Sequence, residues 1–299
     1  MNRKIAVIGG AGRLGRYIVN ELASVHDVLT LDRNPQSAIG KAEAVDILSI
    51  DRLRAVLAGL DAIVHVAGID GHVETSPENF FGTNVLGTWN VLQAAFEAGI
   101  RKIVVTSSSS VTGINGEPGA ARPDYVPIDE KHPIRPATTY GLSKRLNETT
   151  AAHFGSLPNM QVICIRPSFV AFPELVPHLA GLPIEFEGEI PAAFREPRPF
   201  LRSYVDPRDL ARCYRLALDF GEPGFHLFWA NAGDTFETTP SLDYLRRHYA
   251  TMPEIRDAAR YTTDLHAALI DSSRAATVLG WKPEFTWSRI LDEWRAQQR

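Results

Sequence analysis

The chain has little cysteine, no surplus of positive charge and no long apolar run. Cys164 and Cys213 are the only cysteines among 299 residues. Neither has metal-ligand spacing, and one pair does not make a disulfide framework. Cys164 lies in an apolar, strand-like run and Cys213 in a helical one, so both read as buried thiols in a reducing compartment. The formal net charge is −4. No basic face is implied, and no nucleic acid is expected as a partner. No apolar stretch approaches the roughly 20 residues needed to cross a bilayer, so no membrane is expected either. The first residues, Met1-Asn2-Arg3-Lys4, lead into a five-residue apolar run ended by glycine. That is too short for a signal peptide, and the expected location is cytoplasmic. The nine histidines are scattered without an H-E-x-x-H cluster, so no catalytic metal is expected. There is no internal repeat and no low-complexity segment.

What the chain does have is alternation. Short apolar runs at Lys4–Ile8, Val28–Leu31, Ala62–Val66, Lys102–Thr106 and Gln161–Ile165 read as buried strands. Between them, Arg13–Ala23, Asp51–Ala58, Glu78–Ala98 and Thr138–Phe154 carry apolar residues at helical spacing. Repeated strand–helix units of this length make a parallel sheet with helices on both faces. From residue 166 to 200 the texture changes: Pro167, Pro173, Pro177, Pro183, Pro191, Pro197 and Pro199 predict loops and short elements. Phe225–Ala230 reads as one more strand returning to the main sheet, and residues 240–299 as mostly helical, with a stop at Gly280-Trp281-Lys282-Pro283.

Residues 9–15 read G-G-A-G-R-L-G, directly after a strand and before a helix. Gly9 permits a tight turn, Gly12 lets backbone approach a pyrophosphate, and Gly15 lets helix and strand pack closely. The N–H groups of Arg13 and Leu14 then face the anion at a helix N-terminus. The expected fold is therefore α/β, a doubly wound parallel Rossmann sheet with a small C-terminal α/β substrate lobe. Residues 1–168 would bind NAD(P), and 169–299 would mainly bind substrate. Asp32 closes the second strand about 20 residues after the glycines, where a carboxylate accepts bonds from the adenosine ribose and repels a 2′-phosphate. That favours NAD. Arg33 and Arg13 are placed to meet such a phosphate, which keeps NADP open. Asp46-Ile47 follows where a carboxylate can bond the adenine amino group, or simply end a loop before a helix.

Tyr140 and Lys144 stand four residues apart on a helix, hence on one face. A free phenol has a pKa near 10, and a neighbouring ammonium lowers it. Tyr140 can then exchange a proton with a substrate hydroxyl while a hydride passes to or from nicotinamide. Alone the Y-x-x-x-K pattern is a weak signal, since the chain has eight tyrosines. Its place on the helix after a strand ending in Ser107 to Ser110 strengthens it. One of those serines can orient the substrate oxygen; spacing does not choose among them.

Together these residues resemble the extended short-chain dehydrogenase/reductase family of NAD-dependent sugar epimerases, dehydratases and dehydrogenases. The matching pieces are GGAGRLG, Asp32, Asp46-Ile47, His65-Val66-Ala67-Gly68, Asn84 in TNVLGTWNVL, TSSSSVTG, YGLSK and Arg166-Pro167. Weaker echoes continue in Arg202-Ser203-Tyr204-Val205-Asp206 and DSSRAATVLGWKP. The resemblance implies that Ser108, five residues before Gly113, acts with Tyr140 and Lys144. It implies that Val66, Ala67, Gly68, Asn84 and Pro167 belong to the cofactor site with the residues above. Ser108, Ser109 and Arg202 would contact a small sugar-like substrate, and a homodimer would form through the helices of Asn84 and Tyr140. Two departures bear on the substrate: Pro167-Ser168-Phe169-Val170-Ala171-Phe172-Pro173 replaces the usual N-V-Y-G-P-like segment, and Thr112 stands where tyrosine is common. They point away from a nucleotide-sugar towards a free sugar or uronate. The expectation is an NAD(P)-dependent dehydrogenase or reductase. A nucleotide-sugar 4-epimerase that retains NAD is the rival, and a non-catalytic dinucleotide sensor ranks below both because Ser108, Tyr140 and Lys144 are all kept.

Overall fold

A computed structural model describes residues 2–114, 121–182, 201–236 and 238–298. Pro183, Pro191, Pro197 and Pro199 lie outside the described residues, as do the other positions of 183–200. Seven strands form one sheet: β1 (Lys4–Ile8), β2 (Asp27–Asp32), β3 (Lys41–Ala44), β4 (Ala62–His65), β5 (Lys102–Thr106), β6 (Gln161–Pro167) and β7 (Gly224–Ala230). Their order is β7-β6-β5-β4-β1-β2-β3, and every pairing is parallel. The order reverses between β1 and β4, the crevice where doubly wound sheets bind ligands.

Both faces are covered, which is why the central strands are apolar at nearly every position. Ile5, Val7, Val64, Val104, Ile163 and Ile165 face one core with helices α1 (Arg13–Ala23) and α5 (Pro207–Asp219). Ala6, Ile8, Ile63, Ile103, Val105 and Val162 face the other with α2 (Ile50–Leu57), α3 (Gly87–Glu97) and α4 (Thr139–Gly155). Cys213 belongs to the first core and Cys164 to the second; both are free thiols. Beyond the sheet, short strand pairs join Phe169–Val170 to Tyr204–Val205 and Tyr125–Val126 to Glu254–Ile255. The C-terminal helices include Ser241–His248, Ala258–Thr263, Ser273–Leu279 and Trp287–Gln297. No helix among the described residues is long and apolar enough to cross a membrane.

Two elements differ from the sequence expectation. The single helix expected over Glu78–Ala98 begins at Pro77, passes through a widened π-helical turn at Phe80–Leu86 and becomes regular only from Gly87. A Cβ on Gly87 would meet Ile47 Cδ1 at 2.4 Å, and Asn84 turns out of the widened stretch to bond the end of β4. π-helical turns of this kind recur where a side chain is re-aimed at a functional site. The second difference is β3, which sequence patterning did not indicate. It is an exposed edge strand with no apolar face, and Lys41 and Glu43 guard it.

His65, the last residue of β4, is buried, and its Nε2 lies 3.0 Å from Thr88 Oγ1 of α3. Burial, and then the nearby Lys144 charge, lower its pKa to about 3. The unfolded chain therefore binds a proton that the folded chain refuses from pH 6.5 downward, so stability falls as the pH falls through that window. Between pH 6.5 and about 5 this single group should cost about 2 kcal/mol. Urea unfolding at pH 7.5 and pH 5 should show a smaller acid loss in His65→Gln than in the parent chain.

Candidate active site

The site is built where β1, β4, β5 and β6 end. Gly9 adopts φ +87°, and a Cβ there would lie 2.5 Å from Ala67 N. A Cβ on Gly15 would lie 2.1 Å from Gly9 O. Only glycine lets the turn fold back on β4 and on its own helix. Gly12 begins α1 with no side-chain cap, so the first N–H groups of that helix remain open towards the same crevice. A cavity of about 670 Å³ is lined there by Gly9, Gly12, Arg13, Leu14 and Gly15, then by Val66 and Gly68, and farther on by Ser108, Ser109, Tyr140, Lys144, Pro167 and Arg202. The glycine cradle and open helix end fit a pyrophosphate-bearing cofactor.

Asp32 stands beside this cradle. Its carboxylate accepts the Ala11 N–H at 3.1 Å and the Asn34 N–H at 3.0 Å. Arg13 is engaged elsewhere: it pairs with Glu174 at 2.6 Å and lies 4.1 Å over the Phe172 ring. Arg33 is exposed. Asp32, Arg33, Asp46, Ile47, Ala67 and Asn84 do not line the described cavity. Ile47 is a core residue against Gly87, and the Asp46 carboxylate accepts the Leu48 N–H at 2.9 Å. Asn84 acts on the turn after β4. Its Oδ1 accepts the Ile69 N–H at 2.7 Å, and its Nδ2 donates to Ile69 O at 3.1 Å and to Ser143 Oγ at 3.1 Å.

The serines separate by what they touch. Ser107 donates its hydroxyl proton to Glu148 Oε1 at 2.6 Å. Ser108 caps the short helical turn Ser109–Thr112 by accepting the Ser110 N–H at 3.1 Å, and its hydroxyl also hydrogen-bonds Tyr140. The structure thus brings Ser108 and Tyr140 together, a choice the sequence spacing left open. Lys144 is buried; its Nζ donates to Thr106 O at 3.1 Å and lies 5.8 Å from the Tyr140 ring centre. Burial lowers the Lys144 pKa to about 8, opposed by Asp70 and Cys164. The Tyr140 phenol is raised, chiefly by burial and then by Asp70, while the Ser108 bond lowers it. Lys144 does not lower Tyr140 here, because the buried lysine gives up its proton at a pH well below that at which the buried phenol would.

Three features carry no sequence expectation. Glu148 lies one turn beyond Lys144 on the same helix face and receives Arg166 through two bonds, Nε to Oε1 at 2.7 Å and Nη2 to Oε2 at 2.8 Å. Both residues are buried. The turn Ile69–Thr75 enters the cavity with Asp70, Gly71, His72 and Glu74; its signal was an Asp-Gly pair just past a strand end. Phe169, Phe172 and Phe236 line the far wall. Arg202, beside them, holds φ +48°, a left-handed conformation rare outside glycine, with its guanidinium 5.5 Å from the Phe236 ring and 5.7 Å from the Tyr244 ring. No group of three or more His, Cys, Asp or Glu that could hold a metal ion occurs among the described residues.

Comparison with known proteins agrees with this geometry. The model of the NAD dependent epimerase/dehydratase family matches residues 5–227. A UDP-glucose 4-epimerase of Rhizobium meliloti is 27% identical over 325 residues, covering 97% of this chain and 95% of that protein. A putative UDP-glucose 4-epimerase of Methanocaldococcus jannaschii is 31% identical over 300 residues, covering 94% and 93%. An L-arabinose 1-dehydrogenase (NAD(P)(+)) of Haloferax volcanii is 29% identical over 168 residues, 54% of this chain and 65% of that one. Among solved structures, a short-chain dehydrogenase/reductase superfamily protein from Agrobacterium tumefaciens with bound NAD superposes with a TM-score of 0.75 at 22% identity, covering 99% and 98%.

The buried ion pair yields a stability test. Glu148→Ala leaves Arg166 charged and unpartnered in the interior, a change that costs about 3–5 kcal/mol. Urea denaturation should register that loss, whereas exposed Glu97→Ala should cost well under half as much.

Proposed function

The chain belongs to the NAD-dependent epimerase/dehydratase family of extended short-chain dehydrogenases/reductases, and from that premise we propose that it is an NAD-dependent dehydrogenase or reductase of a sugar-like hydroxyl. One observation carries the reading: Ser108, Tyr140 and Lys144 share a single cavity with the glycine cradle. When bound, NAD supplies the hydride acceptor. Gly9, Gly12 and Gly15 with the Arg13 and Leu14 backbone would hold its pyrophosphate, and Asp32 its adenosine ribose. Asp32, Asp46 and Ile47 would stand on the adenosine side, with Arg33 at its exposed edge. Val66, Ala67, Gly68 and Pro167 would flank the reacting end, with Asn84 bracing them. The negative Asp32 and the engaged Arg13 favour NAD over NADP.

In this reading the Ser108 hydroxyl donates to the substrate oxygen and fixes it beside Tyr140. Tyr140, once ionised, would take the hydroxyl proton as the hydride leaves and the carbonyl forms, or as the phenol would give its proton to the carbonyl oxygen in the reverse direction. Lys144 stabilises the phenolate during that exchange and bonds the nicotinamide ribose. Ser109 and Arg202 contact the remainder of the substrate, and Arg202 can pair with a carboxylate. The aromatic wall of Phe169 and Phe172, in place of the usual segment after β6, supports a free sugar or uronate. The second reading, a nucleotide-sugar 4-epimerase, is favoured by relatives of that name aligned along nearly the whole chain.

Assays with D-glucuronate, D-galacturonate, L-arabinose and UDP-glucose, each with NAD or NADP, separate the two. Stoichiometric NADH with a free sugar or uronate supports the dehydrogenase. Interconversion of UDP-sugars without net NADH supports the epimerase. In either case Tyr140→Phe should lower kcat by roughly 10²–10⁴-fold, with NAD binding retained; full activity in that variant would remove Tyr140 from the chemistry.

We also infer a homodimer. Phe81, Leu86 and Trp89 on the π-helical stretch and α3, with Leu142 on α4, are between 39% and 52% exposed, too much large apolar surface on adjoining helices for a solvated face. Light scattering should give twice the chain mass, and Trp89→Glu with Leu142→Glu should give the mass of one chain.

A further inference from the structure

The turn after β4 approaches both members of the Tyr140–Lys144 pair. A Cβ on Gly68 would lie 3.8 Å from Lys144 Nζ, and a Cβ on Gly71 would lie 2.6 Å from Tyr140 Cδ1 and 3.0 Å from Cε1. Gly71 therefore sets its backbone against the phenol ring, closer than any other residue type permits. Asp70 lies between these two points of approach and lines the same cavity as Tyr140, Lys144 and Ser108. Its carboxylate is held by its own turn, where Oδ1 accepts the His72 N–H at 3.1 Å and the Asp70 carbonyl accepts the Val73 N–H at 3.0 Å. The base of the turn is fastened on both sides of Ile69 by Asn84. A turn pinned at its base and pressed against a ring presents its charge from a fixed place.

We propose that Asp70 is a positioning residue of this site, whose fixed carboxylate is the counter-charge that keeps Lys144 in its ammonium form beside Tyr140. The proposal rests on the reading of Tyr140 and Lys144 given above. The other groups facing Lys144 cannot supply this charge. From β4, His65 is neutral near pH 7 because burial depresses it. From β6, Cys164 is a protonated thiol because burial raises it well above the ordinary range. From β5, Thr106 offers only a carbonyl. On α4 itself, Tyr140 is protonated and Glu148 is matched by Arg166. With Asp70 in place, burial still holds Lys144 down at about 8, so the ammonium is close to its titration point at neutral pH and removing the Asp70 charge lets burial take it lower. Asp70 also raises the Tyr140 phenol, which keeps the proton on the tyrosine in the resting site.

The test needs no substrate. The chain has six lysines, so carbon-13 labelling at lysine Cε gives a small set of NMR signals, and Lys144 is assigned by its loss in Lys144→Arg. In Asp70→Asn the Lys144 midpoint should fall by about 0.5 pH unit or more, and Asp70→Glu should restore most of it. An unchanged midpoint in Asp70→Asn, or the same fall in Asp70→Glu, would overturn the proposal. Asp70 is exposed, so neither variant threatens folding. Turnover surviving in Tyr140→Phe would instead defeat the catalytic reading, a separate result that the lysine titration does not influence.

Discussion

A buried ion pair ties together the three elements that carry Ser108, Tyr140, Lys144 and Pro167 into the cavity. Arg166 comes from β6, Glu148 from α4, and the Ser107 hydroxyl that also bonds Glu148 comes from the end of β5. Taking two charges out of water costs several kcal/mol per ion, and only good geometry with satisfied lone pairs offsets it. Here a two-pronged guanidinium and a hydroxyl meet one carboxylate. The directionality matters more than the strength. Apolar packing alone would hold α4 on the sheet but would leave its rotation about its own axis weakly specified. Glu148 fixes that rotation, and Lys144 and Tyr140, one and two turns earlier on the same face, are aimed at the strand ends as a result.

Most of the sheet and the cofactor half of the cavity were legible in the sequence, for a physical reason. Parallel strands buried on both faces must be apolar throughout, and the glycine turn admits no side chain at Gly9 or Gly15, so both leave marks in composition and spacing. Tyr140 and Lys144 were legible because four residues on a helix is one face. What escaped had no such mark. The edge strand Lys41–Ala44 is held by backbone bonds to β2 and has no buried side-chain pattern. The widening at Phe80–Leu86 goes with contacts of Asn84 to Ile69 and of Gly87 to Ile47, distant in sequence. Ser108 differs from Ser107 only in which way each hydroxyl points, and that depends on Glu148, 41 residues beyond Ser107.

The two ends of the cavity are specified differently. At the glycine end the cavity surface is largely backbone, and its shape follows from the absence of Cβ atoms. At the other end it is side chain: Phe169, Phe172, Phe236 and Arg202, drawn from segments far apart in the chain. One contact links them. Arg13, inside the glycine motif, rests on Phe172 and pairs with Glu174, so the segment that follows β6 leans on the glycine turn. Both partners of that ion pair are more than half exposed, which makes the stacking on Phe172 the larger part of the link.

Burial moves Tyr140 and Lys144 in opposite directions, the phenol up and the ammonium down. Each shift disfavours the charged form. Left alone, the two groups would drift towards a neutral phenol beside a neutral amine, an arrangement with little power to stabilise a phenolate. Proton exchange with a substrate hydroxyl requires the opposite distribution, with negative charge on Tyr140 oxygen at the moment of transfer and positive charge beside it. A fixed anion near Lys144 preserves half of that distribution in the resting site. The hydroxyl of Ser108, already bonded to Tyr140, favours the other half by stabilising the phenolate. One carboxylate thus holds the lysine charged and one hydroxyl draws the phenol down, while the same carboxylate opposes the hydroxyl by raising that phenol.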